Sequence, residues 1–247
     1  MVQGEDSVAG PGGTAGHGGA GAVAEAEMTA GSPLRTPKAA AWAGIVFSVL
    51  AITAMVLIRL SIPQNSGQTG AWLSDQSKRT AVDVALNLVP FAGIAFLWFV
   101  GVVRDRVGEL EDRFFATVFL GSGLLFLGML FVAASAAGGL IVAYLAQPQA
   151  LFESGTFAFG RAFTFDIMHI YAFKMAAVFM VTTSTLAIRT RITPSWMAFA
   201  GYVAAAFLLL CSGFFDWTLF VFPAWVLMIS IHILRDNLRR PAGSGGA

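Results

Sequence analysis

The sequence predicts an all-α integral membrane bundle of about six transmembrane helices, with both termini in the cytoplasm. Of the 247 residues, 57% are hydrophobic and only 12% are charged, whereas a soluble domain carries roughly 25% charged residues. The mean hydropathy is +0.74. Uncharged runs such as AAAWAGIVFSVLAITAMVLI, which begins at Ala39, supply the roughly 20 apolar residues that one membrane-spanning helix requires.

Apolar segments follow one another along the chain, separated by polar or charged stretches. The predicted helices cover residues 39–58, 81–103, 114–146, 165–188, 195–212 and 217–234. We expect a kink near Pro90, because proline cannot donate the backbone hydrogen bond of a helix interior. The third segment exceeds one bilayer crossing, so it must tilt, bend or extend past the membrane. Its AASAAGG stretch, residues 133–139, is expected to be flexible or tightly packed.

The two ends of the chain differ in composition from the apolar part. We predict a disordered cytoplasmic tail over residues 1–38, a transmembrane domain over 39–235 and a short basic cytoplasmic tail over 236–247. The first tail is rich in Gly and Ala and lacks the periodic apolar residues from which a core is built. It also lacks the basic start and apolar stretch of a secretory signal peptide.

The Lys and Arg residues near the helix ends predict which side of the membrane each loop faces. With the N-terminus inside, the cytoplasmic side carries the larger set, as the positive-inside rule favours. The cytoplasmic set is Arg35, Lys38, Arg104, Arg106, Arg113, Arg189, Arg191, Arg235, Arg239 and Arg240. The outer set is Arg59, Lys78, Arg79 and Arg161.

The tryptophans agree with these helix boundaries. Indoles favour the headgroup region of a bilayer, and four of them fall near predicted helix ends: Trp42, Trp98, Trp196 and Trp217. Trp225 does not fit that pattern, so we expect it to pack against another helix.

A set of polar residues is predicted to lie between the outer surface and the middle of the bilayer. Its members are Arg59, Asp83, Asn87, Asp166, His169 and Lys174. An ionisable residue inside a span costs about 2.5–3.5 kcal/mol on insertion scales, so it needs a partner, a water-filled cavity or a place at the interface. One hypothesis is a polar cavity open to the outside, with Lys174 at its base and Asp83 or Asp166 compensating its charge. The alternative is that these residues pair between helices and fix their packing.

The densest charge cluster is the connector RDRVGELEDR, residues 104–113, which the predicted topology places in the cytoplasm. Arg106 and Glu109 are three residues apart and Glu109 and Arg113 are four apart, spacings at which opposite charges stabilise a helix. A solvated extension of the third helix explains this pattern. The alternative is a cytoplasmic docking site formed by Arg104, Arg106, Glu109 and Arg113.

Several classes of function lack their usual sequence features. A net charge of +1 with no basic face argues against a nucleic-acid partner. The single cysteine, Cys211, excludes an internal disulfide and a multi-cysteine metal site. His169 and His232 are predicted near opposite ends of their helices, which disfavours a haem held by both. We therefore predict no cofactor, no metal site and no catalytic residue.

The stretch RDRVGELEDRFFATVFLGSGLLFLGML, residues 104–130, resembles a group of small uncharacterised polytopic membrane proteins of actinobacteria. The Gly- and Ala-rich ends of the chain also resemble the tails of that group. The resemblance implies a bacterial cytoplasmic membrane and brings no activity or binding residue with it.

Taken together, these features favour a non-enzymatic accessory or structural component of a membrane assembly. Its expected partners are the lipid bilayer and other membrane protein subunits. The alternative is a small-solute or ion transporter that uses an outward-facing polar cavity around Lys174. A membrane-embedded enzyme or redox subunit is less favoured, because no paired-histidine, thiolate or metal constellation is present in the sequence.

Overall fold

The structure is a computed structural model that describes residues 37–62, 70–107, 113–190, 194–211 and 217–239. A π-helical segment, Ile167–Ala172, joins α6 to α7 without a break, and we call these three pieces together the fourth span. The helices are α1 (Pro37–Ser61), α2 (Ala71–Ser74), α3 (Gln76–Val107), α4 (Arg113–Ala146), α5 (Pro148–Glu153), α6 (Thr156–Asp166), α7 (Phe173–Thr190), α8 (Ser195–Cys211) and α9 (Thr218–Arg239). The predicted all-α fold is confirmed over these residues.

The length and composition of the helices identify a multi-pass membrane protein. α8 has 17 residues and a length of about 25 Å at 1.5 Å per residue, slightly less than the roughly 30 Å of a bilayer core. It is the sixth apolar helix of the bundle. Five stretches in the described chain are long and apolar enough to cross a membrane, namely Ala39–Ser61, Gln76–Arg104, Phe114–Ala146, Thr156–Arg189 and Thr218–Asp236.

The long helices surround a common interior in the order in which they occur in the sequence. α1 packs against α3 and α9, α3 against α4, and α4 against the fourth span. The fourth span then packs against α8, and α8 against α9, which closes the ring. We call five buried rings at the centre the phenylalanine cluster; they are Phe47, Phe96, Phe126, Phe179 and Phe222.

Phe96 is the central member of the phenylalanine cluster and is fully buried. Its ring centroid lies 4.9 Å from that of Phe47 and 5.4 Å from that of Phe126. The centroids of Phe179 and Phe222 lie 5.3 and 5.8 Å away. Tilted and edge-on pairs at these distances contribute about 0.5–1.5 kcal/mol each beyond area burial. One α3 residue thus connects α1, α4, α7 and α9.

Two contacts between arginine and an aromatic ring bring helix ends together at one end of the bundle. The Cζ atom of Arg59, near the end of α1, lies 4.7 Å from the ring centroid of Trp217, which precedes α9. The Cζ atom of Arg79, near the start of α3, lies 5.9 Å from the ring centroid of Tyr144, near the end of α4. We call this the Arg59 end of the bundle.

A third such contact defines the opposite end. The Cζ atom of Arg189, in the last turn of α7, lies 4.4 Å from the ring centroid of Phe115, in the first turn of α4. Neighbouring long helices therefore run in alternating directions. α1 runs toward the Arg59 end and α9 runs away from it, so the described chain starts and finishes at the Arg189 end.

α3 begins earlier than the sequence pattern predicted, at Gln76 instead of residue 81. The reason is a helix cap: Asp75 Oδ1 accepts hydrogen bonds from the backbone N–H groups of Ser77, at 2.9 Å, and Lys78, at 3.3 Å. A side chain that accepts from the first free N–H groups stabilises a helix start by about 1 kcal/mol. The polar residues before the apolar run are therefore helical.

The fourth span is also longer than predicted, since it begins at Thr156 instead of Phe165. The sequence pattern placed Arg161 among the outer basic residues, before the predicted helix start. In the structure Gly160 allows close contact with α4, because a Cβ there would lie 2.7 Å from Leu140 Cδ2. The α6 portion is therefore helical and packs against α4.

Other local predictions have mixed outcomes. α3 continues through Pro90 and α9 through Pro223, and the kink near Pro90 stays a prediction. The AASAAGG stretch is helical throughout, as part of the 34-residue α4. Trp225 is 4% exposed and packs against α8 at Gly201, so it contacts another helix as expected. The four tryptophans predicted near helix ends are all exposed on the outside of the bundle.

Close packing of α7, α8 and α9 depends on Gly201. A Cβ at this position would overlap with Ser184 Oγ and would lie 2.9 Å from Trp225 Nε1. By contrast, a Cβ at Gly121 of α4 meets nothing within 4 Å.

Gly201→Val is therefore expected to destabilise the protein by about 1–3 kcal/mol through overpacking. Gly121→Val is the matched control, because it carries the same change in helix propensity without the overlap. Thermal unfolding of the detergent-solubilised protein, followed by circular dichroism, measures the difference. Equal melting temperatures for the two variants would contradict the close approach at Gly201.

The lysine and arginine distribution also yields a test of orientation. In a Cys211→Ala background, Lys78→Cys should react with a membrane-impermeant maleimide added to intact cells, because it lies near the Arg59 end. Arg104→Cys should react only after permeabilisation, since it lies near the far end of α3. The reverse labelling pattern would invert the predicted topology.

Candidate functional site

A cavity of about 560 Å³ lies inside the bundle toward the Arg59 end. Cavities of roughly 300–1,000 Å³ are typical of small-molecule sites. Its lining extends from Phe47 of α1 to Ile62, the residue after that helix, and along α4 from Phe126 to Leu140. These stretches are about 21–22 Å long at 1.5 Å per residue. The cavity is therefore elongated along the bundle axis.

Alanines on facing helices create this space. Ala51 and Ala54 of α1 line one wall, and Ala133, Ala134 and Ala137 of α4 line the other. In a membrane, small residues usually allow two helices to approach each other closely. Here they leave a cavity whose base is formed by members of the phenylalanine cluster, Phe47, Phe126 and Phe222.

Three side chains able to carry positive charge line the same cavity: Arg59, Arg161 and His169. Arg59 is held against Trp217, as described above, and Arg161 is an exposed residue of α6. Among the described lining residues there is no Asp or Glu. The cavity therefore combines apolar walls with a basic region.

His169 lies in the π-helical segment and is fixed by local contacts. Its ring stacks on Phe165 with centroids 4.0 Å apart and meets the ring of Phe173 edge-on at 5.5 Å. Its Nδ1 lies 3.2 Å from the backbone carbonyl oxygen of Phe165. Because a carbonyl only accepts, this hydrogen bond requires a proton on Nδ1.

The structure places the predicted polar residues in two different environments. Arg59 and His169 line the cavity, whereas Asp83, Asn87, Asp166 and Lys174 are exposed on the outside of the bundle. Phe173 contributes to the cavity wall, and the next residue, Lys174, points outward. Lys174 does not form the base of the cavity; phenylalanines occupy that position.

Pairing between helices is not observed for the exposed charges either. The side chains of Asp83, Asp166 and Lys174 form no ion pair or hydrogen bond with any residue that the structure describes. Asn87 donates from Nδ2 to the backbone carbonyl of Asp83 at 2.9 Å, a contact within α3. These charges are therefore directed away from the bundle.

The π-helical segment brings Asp166 and Lys174 onto one face of the fourth span. Within it, the N–H of Phe173 donates to the carbonyl of Met168, five residues earlier, so this turn holds one residue more than an α-helical turn. Eight α-helical steps would separate the two side chains by about 80° around the axis. The extra residue reduces this angle to about 20°. We call Asp166, Lys174 and the exposed residues between them the charged face.

The cytoplasmic docking site remains a prediction. Arg104 is exposed at the end of α3. Glu109 and the side chains of Arg106 and Arg113 lie outside the described residues.

Sequence reasoning missed two features of the site. It counted Arg161 only among the outer basic residues, because the residue lay before the predicted start of the fourth helix. It also expected the alanines of the AASAAGG stretch in α4 to be flexible or tightly packed and gave no role to those of α1, whereas both sets line the cavity. Within the described residues, no group of three His, Cys, Asp or Glu side chains could hold a metal ion.

Comparison with known proteins identifies no relative of this chain. No family model, curated protein or solved structure matches it.

The separation of cavity and charged face can be tested by thiol labelling in a Cys211→Ala background. Thr164→Cys lines the cavity, so in proteoliposomes it should react with an impermeant thiol reagent applied to the Arg59 side. Lys174→Cys faces lipid, where the reactive thiolate is not formed, and should react at least about tenfold more slowly. Equal rates at the two positions would show that water reaches the charged face.

Proposed function

We propose that this chain is a non-enzymatic accessory component of an assembly in the bacterial cytoplasmic membrane, and that it binds another membrane protein through the charged face. The observation that carries this proposal is the outward exposure of Lys174 in the middle part of a long membrane-spanning helix. The resemblance to small actinobacterial membrane proteins supports the choice of membrane.

The depth of Lys174 makes its exposure informative. Lys174 is five residues from Phe179 of the phenylalanine cluster, a rise of about 7.5 Å along the helix, and 15 residues from Arg189 at the far end, a rise of about 22 Å. A charge in this region costs about 2.5–3.5 kcal/mol on insertion scales unless it is paired. A carboxylate on a partner helix would remove that cost.

The neighbouring side chains suit a protein interface. Ile170 and Tyr171 lie between the two charges and are 38% and 54% exposed. Phe163 and Phe159, one and two turns before Asp166, are also exposed. Aromatic side chains are enriched at interfaces, where their flat rings bury a large area at low entropic cost. The apolar and aromatic side chains of this region therefore provide contact area for a partner helix, and the two charges of the charged face select which helix binds.

The charge pattern defines the chemistry of the partner. Asp166 and Lys174 are about 10 Å apart along the axis, because the extra residue of the π-helical turn adds almost no rise, and the acidic residue is nearer the Arg59 end. The complementary helix carries an acidic residue at the depth of Lys174 and a basic residue at the depth of Asp166. In a two-fold symmetric dimer about the membrane normal, equivalent residues meet at equal depth, so like charges would face each other. A different protein is therefore favoured over a second copy.

Transport receives less support from the same geometry. A solute that entered the cavity would meet the phenylalanine cluster, of which Phe96 and Phe179 are 0% exposed. Lys174, the residue on which the transporter hypothesis was built, lies outside the cavity.

The proposal is tested by changing Lys174 and purifying the full-length chain in a mild detergent. Lys174→Met should weaken retention of a stoichiometric membrane partner by at least about a hundredfold, because an uncompensated charge at a buried contact costs about 3–5 kcal/mol. Lys174→Arg, which keeps the charge at the same depth, should retain the partner. Quantitative mass spectrometry of the purified complexes measures both.

A charge exchange makes the test specific. Lys174→Glu should lose the partner, and replacing the partner's facing acidic residue by lysine should restore binding. Equal partner yields for wild type and Lys174→Met, or recovery of the chain only as a homodimer linked through this face, would overturn the proposal.

A further inference from the structure

We propose that the cavity binds one molecule of an anionic membrane phospholipid, with an acyl chain between α1 and α4 and the headgroup at Arg161 and Arg59. This inference concerns the interior of the bundle and does not depend on the partner proposed for the charged face.

The shape of the cavity fits a hydrocarbon chain. It extends about 21–22 Å along the helix axes with a volume of about 560 Å³, so it is long and narrow. Its axis follows the helices and therefore the direction in which lipid chains lie in a bilayer. A linear chain fills such a space, whereas a compact ring system of equal volume does not.

The chemistry of the walls supports the same occupant. The inner part is lined by alanine, leucine and phenylalanine side chains, with Ala54, Leu130 and Phe126 as examples. None of these offers a hydrogen bond to a polar solute. A polar molecule placed there would lose its hydration without compensation, which costs several kcal/mol.

The charge at the Arg59 end determines the headgroup. Arg161 and Arg59 place two guanidinium groups on the cavity lining, and the described lining includes no carboxylate. A planar guanidinium binds phosphate through two parallel hydrogen bonds. A phosphate with a net negative charge is therefore favoured over a zwitterionic or neutral headgroup.

The position of this basic end makes the bilayer the source of the ligand. The cavity approaches the end of α1, where Trp217 is 67% exposed beside Arg59. Arginine and tryptophan at a helix end mark the headgroup level of a membrane. The phosphate of a lipid at this depth can reach Arg161 while its chain enters the cavity.

Native mass spectrometry of the full-length chain in detergent, titrated with dioleoylphosphatidylglycerol, tests the inference. We expect one bound lipid of high affinity, and about tenfold weaker binding of dioleoylphosphatidylcholine, since a charge-assisted contact is lost. Arg161→Gln should weaken phosphatidylglycerol binding about tenfold. Arg104→Gln, an exposed arginine that does not line the cavity, is the matched control and should bind as wild type does.

Variants that fill the cavity provide a second, independent test of lipid binding. Ala137→Phe and Ala54→Leu both place bulk in the lining and should reduce high-affinity binding by at least about tenfold. Val142→Phe enlarges a residue of α4 that is 68% exposed and should have no effect. Circular dichroism melting verifies that each variant is folded, and Ala54→Leu replaces Ala137→Phe if the larger side chain prevents folding.

Three outcomes would overturn the inference. One is equal binding of the two lipids, and another is unchanged binding in folded Ala54→Leu. The third is tight binding of free oleate in place of phosphatidylglycerol, which would identify a single-chain carboxylate as the ligand. None of these results bears on the Lys174 interface, because that test measures a protein partner.

Discussion

The phenylalanine cluster is the interaction on which the rest of the structure depends. Helices already in lipid gain little from the hydrophobic effect when they associate, so their association depends on van der Waals packing and polar contacts. Phe96 supplies such packing to four other helices at once. The ring of helices can therefore remain closed at its centre while alanines leave space toward the Arg59 end. Without this packed centre, the cavity would have no base and the two helix walls no fixed separation.

The bundle places two ionisable side chains of a membrane span on its outer surface, which is unusual. Ionisable residues in membrane spans almost always face the protein interior or a water-filled cavity. Here the interior is largely apolar, and two charges of the fourth span, Asp166 and Lys174, face outward. Contact of these charges with lipid raises the free energy of an isolated chain, and a partner protein that covers and pairs them removes that cost. The stability of the chain alone and its behaviour in an assembly are thus expected to differ.

The fold could be predicted from the sequence because span length and apolar composition suffice to identify membrane helices. Helix starts were missed where a local feature decided them, as with the Asp75 cap or Gly160. The position of Lys174 in the middle part of the fourth span also followed from counting residues. Its direction did not, because one extra residue in a π-helical turn changes the angle around the axis by about 100°. No pattern in the sequence predicted the cavity, because alanine on a helix face is compatible with either close packing or open space.

The π-helical segment has a consequence for the relation between the two surfaces. Arg161, before this segment, lines the cavity, and Lys174, after it, lies on the outer face. An insertion or deletion of one residue within 167–172 would rotate these two halves of the span by about 100° relative to each other. Arg161 and Lys174 could then no longer occupy their present sides together. The length of this short segment is therefore under a stricter constraint than the identity of most of its side chains.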